Sequence, residues 1–458
     1  MEKGFDRSSF ARTLRRLMLP IVVQNLLSAV VSTADVMMLS GVSQDALSAS
    51  SLAGQITFVL TLFYFGLSTG ASVMAAQYWG SKNEGMIEKV QGLALRLSCA
   101  VSLLFALCAL LIPGLLMRAF TDDALLIGMG AKYLRWVSLS YLMMGVSQML
   151  LAVMKSIEQT KASAQISTTC LLCNILLNAL SIYVLFPGEA GRALCGVAAA
   201  TSLSRVVEVL LCVIAIRKGH GIRVKRNSLI STERWLKRGY WRCTLPVLAN
   251  YLIWGCATAG IAAIMGHIGS AAVAANSLAG TLRNLVIVGC SGLGSAGSIM
   301  IGILLGRDDL ENAKWVGKRI ATYSLVLGAA SGALLPLLYR PCLGIAELDQ
   351  TAADLFRGML LINAVYCIGK SFNSCLVGGV FCAGGDTFFG LICDTAVMWG
   401  VILPAGFIAA FVLKLPALAV YGILCMDEFV KMPFVARRFK KYRWLKNLTK
   451  QNEKTNGE

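Results

Sequence analysis

Twelve times along this chain of 458 residues there recurs a run of about 20 mostly apolar residues, the length a helix needs to cross a bilayer. The runs lie near 17–39, 52–78, 93–117, 134–154, 164–186 and 193–216, then near 245–266, 277–305, 320–339, 357–383, 388–412 and 415–436. A backbone inside hydrocarbon must satisfy its own polar groups, and runs of this length can do so as helices. Glycines and prolines inside the runs are compatible with that, because membrane helices tolerate both. The sequence therefore predicts an all-α membrane protein with twelve transmembrane helices.

The charge distribution supports the same class. Only 14% of residues are charged, against about 25% in a soluble domain, and the mean hydropathy is +0.69. A formal charge of +18 would suggest nucleic acid in a soluble chain, whose basic residues line a solvated face. Here the charge lies mostly in short segments between apolar runs, so no nucleic-acid partner is expected. The composition argues equally against a soluble enzyme, a disordered tail and a secreted disulfide scaffold. Most of the fifteen cysteines sit inside apolar runs, as Cys99, Cys212 and Cys290 do, where a free thiol behaves as a small hydrophobe. Cys170 and Cys173 have C-x-x-C spacing, but neither a second pair nor a nearby histidine completes a metal site. The two histidines, His220 and His267, fall in expected loops. The first run follows sixteen basic-leaning residues and carries no small-residue cleavage signal, so it reads as a first span.

An even number of spans places both termini on one side, and positive charge marks the cytoplasmic face. Segments on the terminal side hold 31 of the 42 Lys and Arg, nine of them in 217–243 and nine in 431–454. The opposite side holds five: Arg118, Lys132, Arg192, Arg340 and Lys414. The expectation is a multi-pass protein of the cell (inner) membrane with a basic N-terminus (1–16), a first lobe (17–216) and a basic interlobe loop (217–243). A second lobe (244–436) and a C-terminal tail (437–458) follow, and both termini are cytoplasmic.

The two lobes are copies of one another. Leu19–Pro20 recurs at Leu245–Pro246, SLAG at 51–54 recurs at 277–280, and Gly80 recurs at Gly306, each with an offset of 226 residues. The offset becomes 227 where Thr160 matches Thr387. Because each copy has six spans, the halves share one orientation and are expected to relate by an axis along the membrane normal. Parallel repeats of this kind belong to transporters that alternate access between two sides.

Taken in order, the motifs resemble the MATE (multidrug and toxic compound extrusion) transporters over roughly residues 15–440. The match runs from the first Leu-Pro and Asp35 through Ala76, Gln77 and Gly80, YLR at 133–135, K-S-x-x-Q-T-K at 155–161 and Asn178. It continues with AATSLSRVVE at 199–208, LPVLANYLIWG at 245–255, GHIGSAAVAAN at 266–276 and GGDT at 384–387. The resemblance implies a V-shaped pair of six-helix bundles that exports organic, often cationic, compounds in exchange for H⁺ or Na⁺. No other cofactor is expected, and the expected partners are a small-molecule substrate and the lipid bilayer, with the protein a monomer.

A carboxylate at membrane depth usually faces a polar cavity and has a function. Gln24, Ser28, Ser32 and Asp35 are spaced four, four and three residues apart, so they share one helix face. Asp35 then either exchanges a coupling cation or makes a fixed hydrogen bond to a neighbouring helix. The resemblance links a first-span Asp to coupling, and Asn178 and Thr201 match other members of that polar network. It departs at Ile182, where many relatives carry an acid. Arg205 and Glu208, three apart, are expected to neutralise each other within the sixth span.

The second lobe departs further, because Tyr251 stands where many relatives carry a seventh-span Glu. A tyrosine is neutral at physiological pH and cannot supply that charge. Asn250, Tyr251 and Trp254 read either as an aromatic, hydrogen-bonding cavity wall, with Trp254 able to hold a cation on its π face, or as ordinary packing. An unpaired Lys370 in hydrocarbon is costly, so a contact with Asp394 or Asp386 is expected, compensating for the missing acid. Asp386 is also placed to cap the following helix. Asp427 and Glu428 are expected to be solvated or paired with Lys431.

The resulting reading is an H⁺-coupled exporter, with Na⁺ less favoured. One alternative is a flippase or exporter of a lipid-linked or endogenous metabolite. A remote one is an integral-membrane transferase, but no nucleophile, base and metal cluster accompanies the spans.

Overall fold

The computed structural model describes residues 6–230, 232–343 and 349–450. Among the described residues, eleven helices are long and apolar enough to cross a membrane. In the first repeat these are α1 (Phe10–Ser40), α2 (Gln44–Gly80), α3 (Glu84–Leu111), α4 (Ala124–Ser156), α5 (Thr160–Ala179) and α6 (Ala190–Arg217). In the second they are α7 (Arg234–Ile268), α8 (Ser270–Gly306), α9 (Leu310–Leu337), α10 (Gln350–Asn373) and α11 (Thr387–Val397). π-helical turns lengthen α5 through Leu185, α10 through Phe381 and α11 through Val412.

The twelfth run is not the continuous span expected near 415–436. It forms α12 (Ala417–Leu424) and α13 (Asp427–Lys440), with a break at Cys425 and Met426. The local cause is visible in the sequence. Asp427 and Glu428 occupy the first turn of α13, where carboxylates meet the positive end of the helix dipole. His267 also differs from expectation: it lies in the last turn of α7 rather than in a loop, with Nδ1 2.9 Å from the Ala263 carbonyl oxygen.

The chain divides into two compact units, one Val23–Trp241 and the other the residues up to Val22 together with those from Arg242 onward. Both boundaries fall inside a helix, α1 and α7, each close to its Leu-Pro step. The N-terminal part of α1 packs with the second repeat, where buried Phe10 meets the Trp315 ring edge-on at 5.2 Å. The N-terminal turns of α7 pack with the first repeat, where fully buried Tyr240 donates to the Leu67 carbonyl at 2.8 Å. The segment 217–243 carries a short helix (Arg226–Ile230) and the start of α7. Buried Glu88 of α3 holds it by accepting from the Lys225 amide at 2.9 Å and the Ser228 hydroxyl at 2.7 Å.

The repeat is repeated in backbone detail. Asn83 and Asp309, 226 residues apart, each accept an amide N–H in the first turn of the third helix of their repeat, at 3.1 Å in both cases. The preceding residues, Lys82 and Asp308, are both left-handed (φ 59° and 64°), as are Glu158 and Gly385 before the fifth helices (φ 65° and 71°). Small residues permit close helix contact: a Cβ on Gly332 of α9 would fall 2.0 Å from the Ala364 carbonyl oxygen of α10. Leu111, Leu176, Val326 and Leu337 remain more than 60% exposed, an apolar surface suited to lipid rather than water.

Candidate functional site

Each unit encloses its own polar network. In the first, Asp35 lies on the last turns of α1, half-buried, and its Oδ1 accepts from Asn178 Nδ2 at 2.8 Å. Asn178 of α5 is 1% exposed, and the same nitrogen lies 3.4 Å from Asn174 Oδ1 one turn earlier. Asn174 in turn reaches the Thr201 hydroxyl at 3.4 Å and that of Ser204 at 3.5 Å on α6. The structure thus brings together Asp35, Asn178 and Thr201 and adds Asn174 and Ser204. Asn174 was legible as the residue one helical turn before Asn178. Ile182 is buried against Leu39 and Val197, so an apolar cluster stands where the family resemblance implied an acid.

Along α1, Gln24 Nε2 donates to Ser167 of α5 at 2.9 Å. Ser28 and Ser32 each bond the carbonyl four residues back at 3.0 Å, and Ser32 is exposed. The expected polar face therefore exists, with its two ends committed to α5 and its serines satisfied locally. Arg205 and Glu208 pair at 2.9 Å as expected, and Glu208 also accepts from Ser147 at 2.7 Å. Both contacts fall on Oε2 of a carboxylate that is 2% exposed, so the pair neutralises its charge within the sixth span.

The second unit holds a denser knot of charge. Lys431 of α13 contacts Asp427 at 3.0 Å, Asp394 at 3.1 Å and Glu428 at 3.3 Å. Lys370 of α10 pairs with Glu428 at 3.0 Å, not with Asp394 or Asp386. The expectation fails because Asp394 is held by Lys431 and by Asn250, which donates to it at 2.8 Å. Asp386 is instead gripped by both nitrogens of the Arg438 fork at 2.7 and 2.8 Å. That grip also corrects the capping role: Asp386 occupies the N-cap position of α11, but its side chain bonds no amide there. Asp427 and Glu428 are paired and buried, not solvated. Among the described residues no group of His, Cys, Asp and Glu can hold a metal.

Registering the two networks on the 226–227 offset shows their kinship. Gln24 donating to Ser167 and Asn250 donating to Asp394 are the same contact in the two copies. Thr201 corresponds to Asp427, Arg205 to Lys431, and Asp35 to the apolar Ile261. The same register pointed to Lys431, as the counterpart of the charged Arg205. Asn250 thus takes part in the knot, whereas Trp254 lies beside a cavity within the second unit, described below.

Comparison with known proteins places this geometry. The MatE family model matches residues 20–180 and 246–408, one match per repeat. Among relatives, the uncharacterized transporter YisQ of Bacillus subtilis is 20% identical over 434 residues, covering 93% of each chain. The multidrug resistance protein NorM of Photobacterium profundum is 26% identical over 412 residues, covering 87% of each. A MATE crystal structure in the straight conformation superposes with a TM-score of 0.85 at 18% identity, covering 94% of this chain and 96% of that one. A MOP superfamily transporter from Pyrococcus furiosus gives 0.84 at 18% identity over 96% and 99%. These likenesses confirm the all-helical fold.

Proposed function

From the premise that the chain belongs to the MATE family of multidrug efflux transporters, we propose that it is an H⁺-coupled antiporter in which Asp35 carries the coupling proton. The protein is a multi-pass membrane transporter and not an enzyme. It exports organic, amphipathic small molecules, cations among them, by alternating access. It works as a monomer in the cell membrane with both termini in the cytoplasm, and the 31 basic residues on that side against five on the other support the orientation.

The observation that carries the reading is the contact between Asp35 and a buried amide. Asn178 Nδ2 donates to the carboxylate, while its Oδ1 is buried with no hydrogen-bond partner among the described residues. An amide offers a donor on one side and an acceptor on the other. Rotated by half a turn, Asn178 accepts from protonated Asp35, so one residue serves both protonation states. H⁺ is favoured over Na⁺ because Asp35 is the one carboxylate in this chain of amides and hydroxyls.

The test is flux in proteoliposomes under a pH gradient or a Na⁺ gradient imposed separately. Wild-type protein should move a cationic dye under the pH gradient, and Asp35→Asn should insert normally and lose that flux. Gradient-driven flux by Asp35→Asn equal to wild type would remove Asp35 from the mechanism, and flux driven by Na⁺ alone would reassign the ion.

A further inference from the structure

A cavity of about 190 Å³ opens within the second unit, lined by residues of α7, α8, α10, α11, α12 and α13. Its wall carries the guanidinium of Arg283, which lies on α8 about 20 Å from the helix start at 1.5 Å per residue. The Arg283 carbon sits 5.1 Å from the centroid of the Tyr366 ring, a cation–π contact. Nη1 donates to Asn363 Oδ1 at 3.3 Å. Fully buried Asn363 is oriented for this, because its Nδ2 donates to the Tyr421 hydroxyl at 2.9 Å. No carboxylate of the described residues pairs with Arg283. An arginine has five N–H donors, and among the described residues a protein acceptor takes one of them here. Gly280, one turn back on the same face, leaves the space beside Nη2 open: a Cβ there would stand 4.0 Å away.

A cation at this depth is costly without an anion, and the nearest acids are already engaged. Asp427, which also faces the cavity, is bridged to Lys431 at 3.0 Å, and Glu428 lies between Lys370 and Lys431. Lys370 itself lines the cavity, so two basic heads and one neutralised carboxylate face it. The repeat does not demand the arginine, since the residue 226 positions earlier is Thr57, a neutral partner of Tyr141 at 3.1 Å. The rest of the wall is mixed: Trp254, Ile261, Ile287 and Leu424 give it an apolar side, and Thr258, Asn276 and Asn284 add neutral polar groups. A cavity of about 150 Å³ accepts benzene, so the volume suits a single ring.

We propose that this cavity is a binding site for a ring-sized organic carboxylate, with Arg283 receiving the carboxylate and the Trp254 side receiving the ring. The proposal rests on the exporter reading above, because it identifies the site as the place where the anionic end of an amphipathic substrate docks. It uses what an arginine does best, a fork of parallel N–H donors to a carboxylate.

The experiment measures equilibrium binding of radiolabelled benzoate to the full-length protein in lipid nanodiscs, with benzylamine as the ring-matched cation. Wild type should bind benzoate saturably and should not exchange it for benzylamine. Arg283→Met should weaken binding roughly tenfold or more, as loss of a charged hydrogen-bonding pair does. Arg283→Lys, which keeps the charge and loses the fork, should fall between them. If Arg283→Met does not fold, wild type alone decides: benzoate should raise the melting temperature and benzylamine should not. Benzoate binding no better than benzylamine, or undiminished in a folded Arg283→Met, overturns the proposal. The exporter reading fails separately, if no imposed gradient drives dye flux by the wild-type protein in liposomes.

Discussion

The knot around Lys431 counts three carboxylates against two lysines, and that imbalance predicts which substitutions are tolerated. Lys431→Met removes three contacts of 3.0–3.3 Å from an ammonium whose side chain is 6% exposed. At an effective dielectric of 20, each contact of that length is worth about 5 kcal/mol before desolvation. The net cost of stranding buried partners is about 3–5 kcal/mol, because Asp427 loses its ion-pair partner and Asp394 keeps Asn250 alone. Asp427→Asn removes one contact but also removes the surplus charge beside Glu428, so its cost should stay below about 1 kcal/mol. In the Lys431→Met background the same change should recover roughly 1–3 kcal/mol, since it deletes a stranded carboxylate. The assay is equilibrium unfolding of the detergent-solubilised protein. Lys450→Met serves as the control, because its pair with Asp308 is exposed and such pairs are worth about 0–1 kcal/mol. Equal costs for Lys431→Met and Asp427→Asn, or no recovery in the double variant, would refute the charge-balance reasoning.

Three further outcomes are expected. Asn178→Ala should lower pH-gradient-driven dye flux at least about tenfold without lowering expression, since it leaves Asp35 without its donor; flux within twofold of wild type would exclude the amide from coupling. Gly332→Ala should destabilise the protein by about 1–3 kcal/mol through overpacking, because the new methyl meets a backbone carbonyl that cannot rotate away; an unchanged midpoint in chemical unfolding would show that α9 and α10 part easily. Outside the spans, hydrogen bonds from Lys450 and Asn447 hold the Asp308 carboxyl below its ordinary value. A lowered carboxyl contributes stability that is full above its unfolded value, about 3.9, and is lost as the pH falls through the folded one. Asp308→Asn should therefore flatten the acid limb of the pH–stability curve, most visibly at low salt, and an unaltered limb would show that the contact is not formed in solution.

The apolar spans and the duplication were legible because each follows from local pattern, run length and a constant offset, whereas the grouping of Asn178 and Thr201 with Asp35 came from the family resemblance. The break in the twelfth span and the partners of Lys370, Asp386 and Asp394 were not read from local pattern. Those pairings depend on which side chains three or four separate helices bring together, and spacing along one helix does not carry that information. Lys370 could equally have met Asp394; what decided the matter is that Lys431 lies one turn beyond Asp427 and reaches Asp394 first. Arg283 was legible only as a charge within a span. Its meaning came from Asn363, a neutral residue that fixes the direction of the guanidinium.

The missing seventh-span acid now has a physical explanation in the repeat. At Asn250, adjacent to Tyr251, the second copy keeps the contact that Gln24 makes in the first, but its acceptor is Asp394 where the first copy has Ser167. Charge has moved from the first helix of the repeat to the fifth and sixth: Ile261 replaces Asp35, while Asp394 and Asp427 replace Ser167 and Thr201. A carboxylate clamped by Lys431 cannot give up and regain a proton as readily as one held by a neutral amide, because each protonation breaks an ion pair. On the proposed coupling role the two copies share geometry and divide the work: the first keeps one acid free of any salt bridge among the described residues, and the second pairs its acids and leaves an arginine facing the cavity.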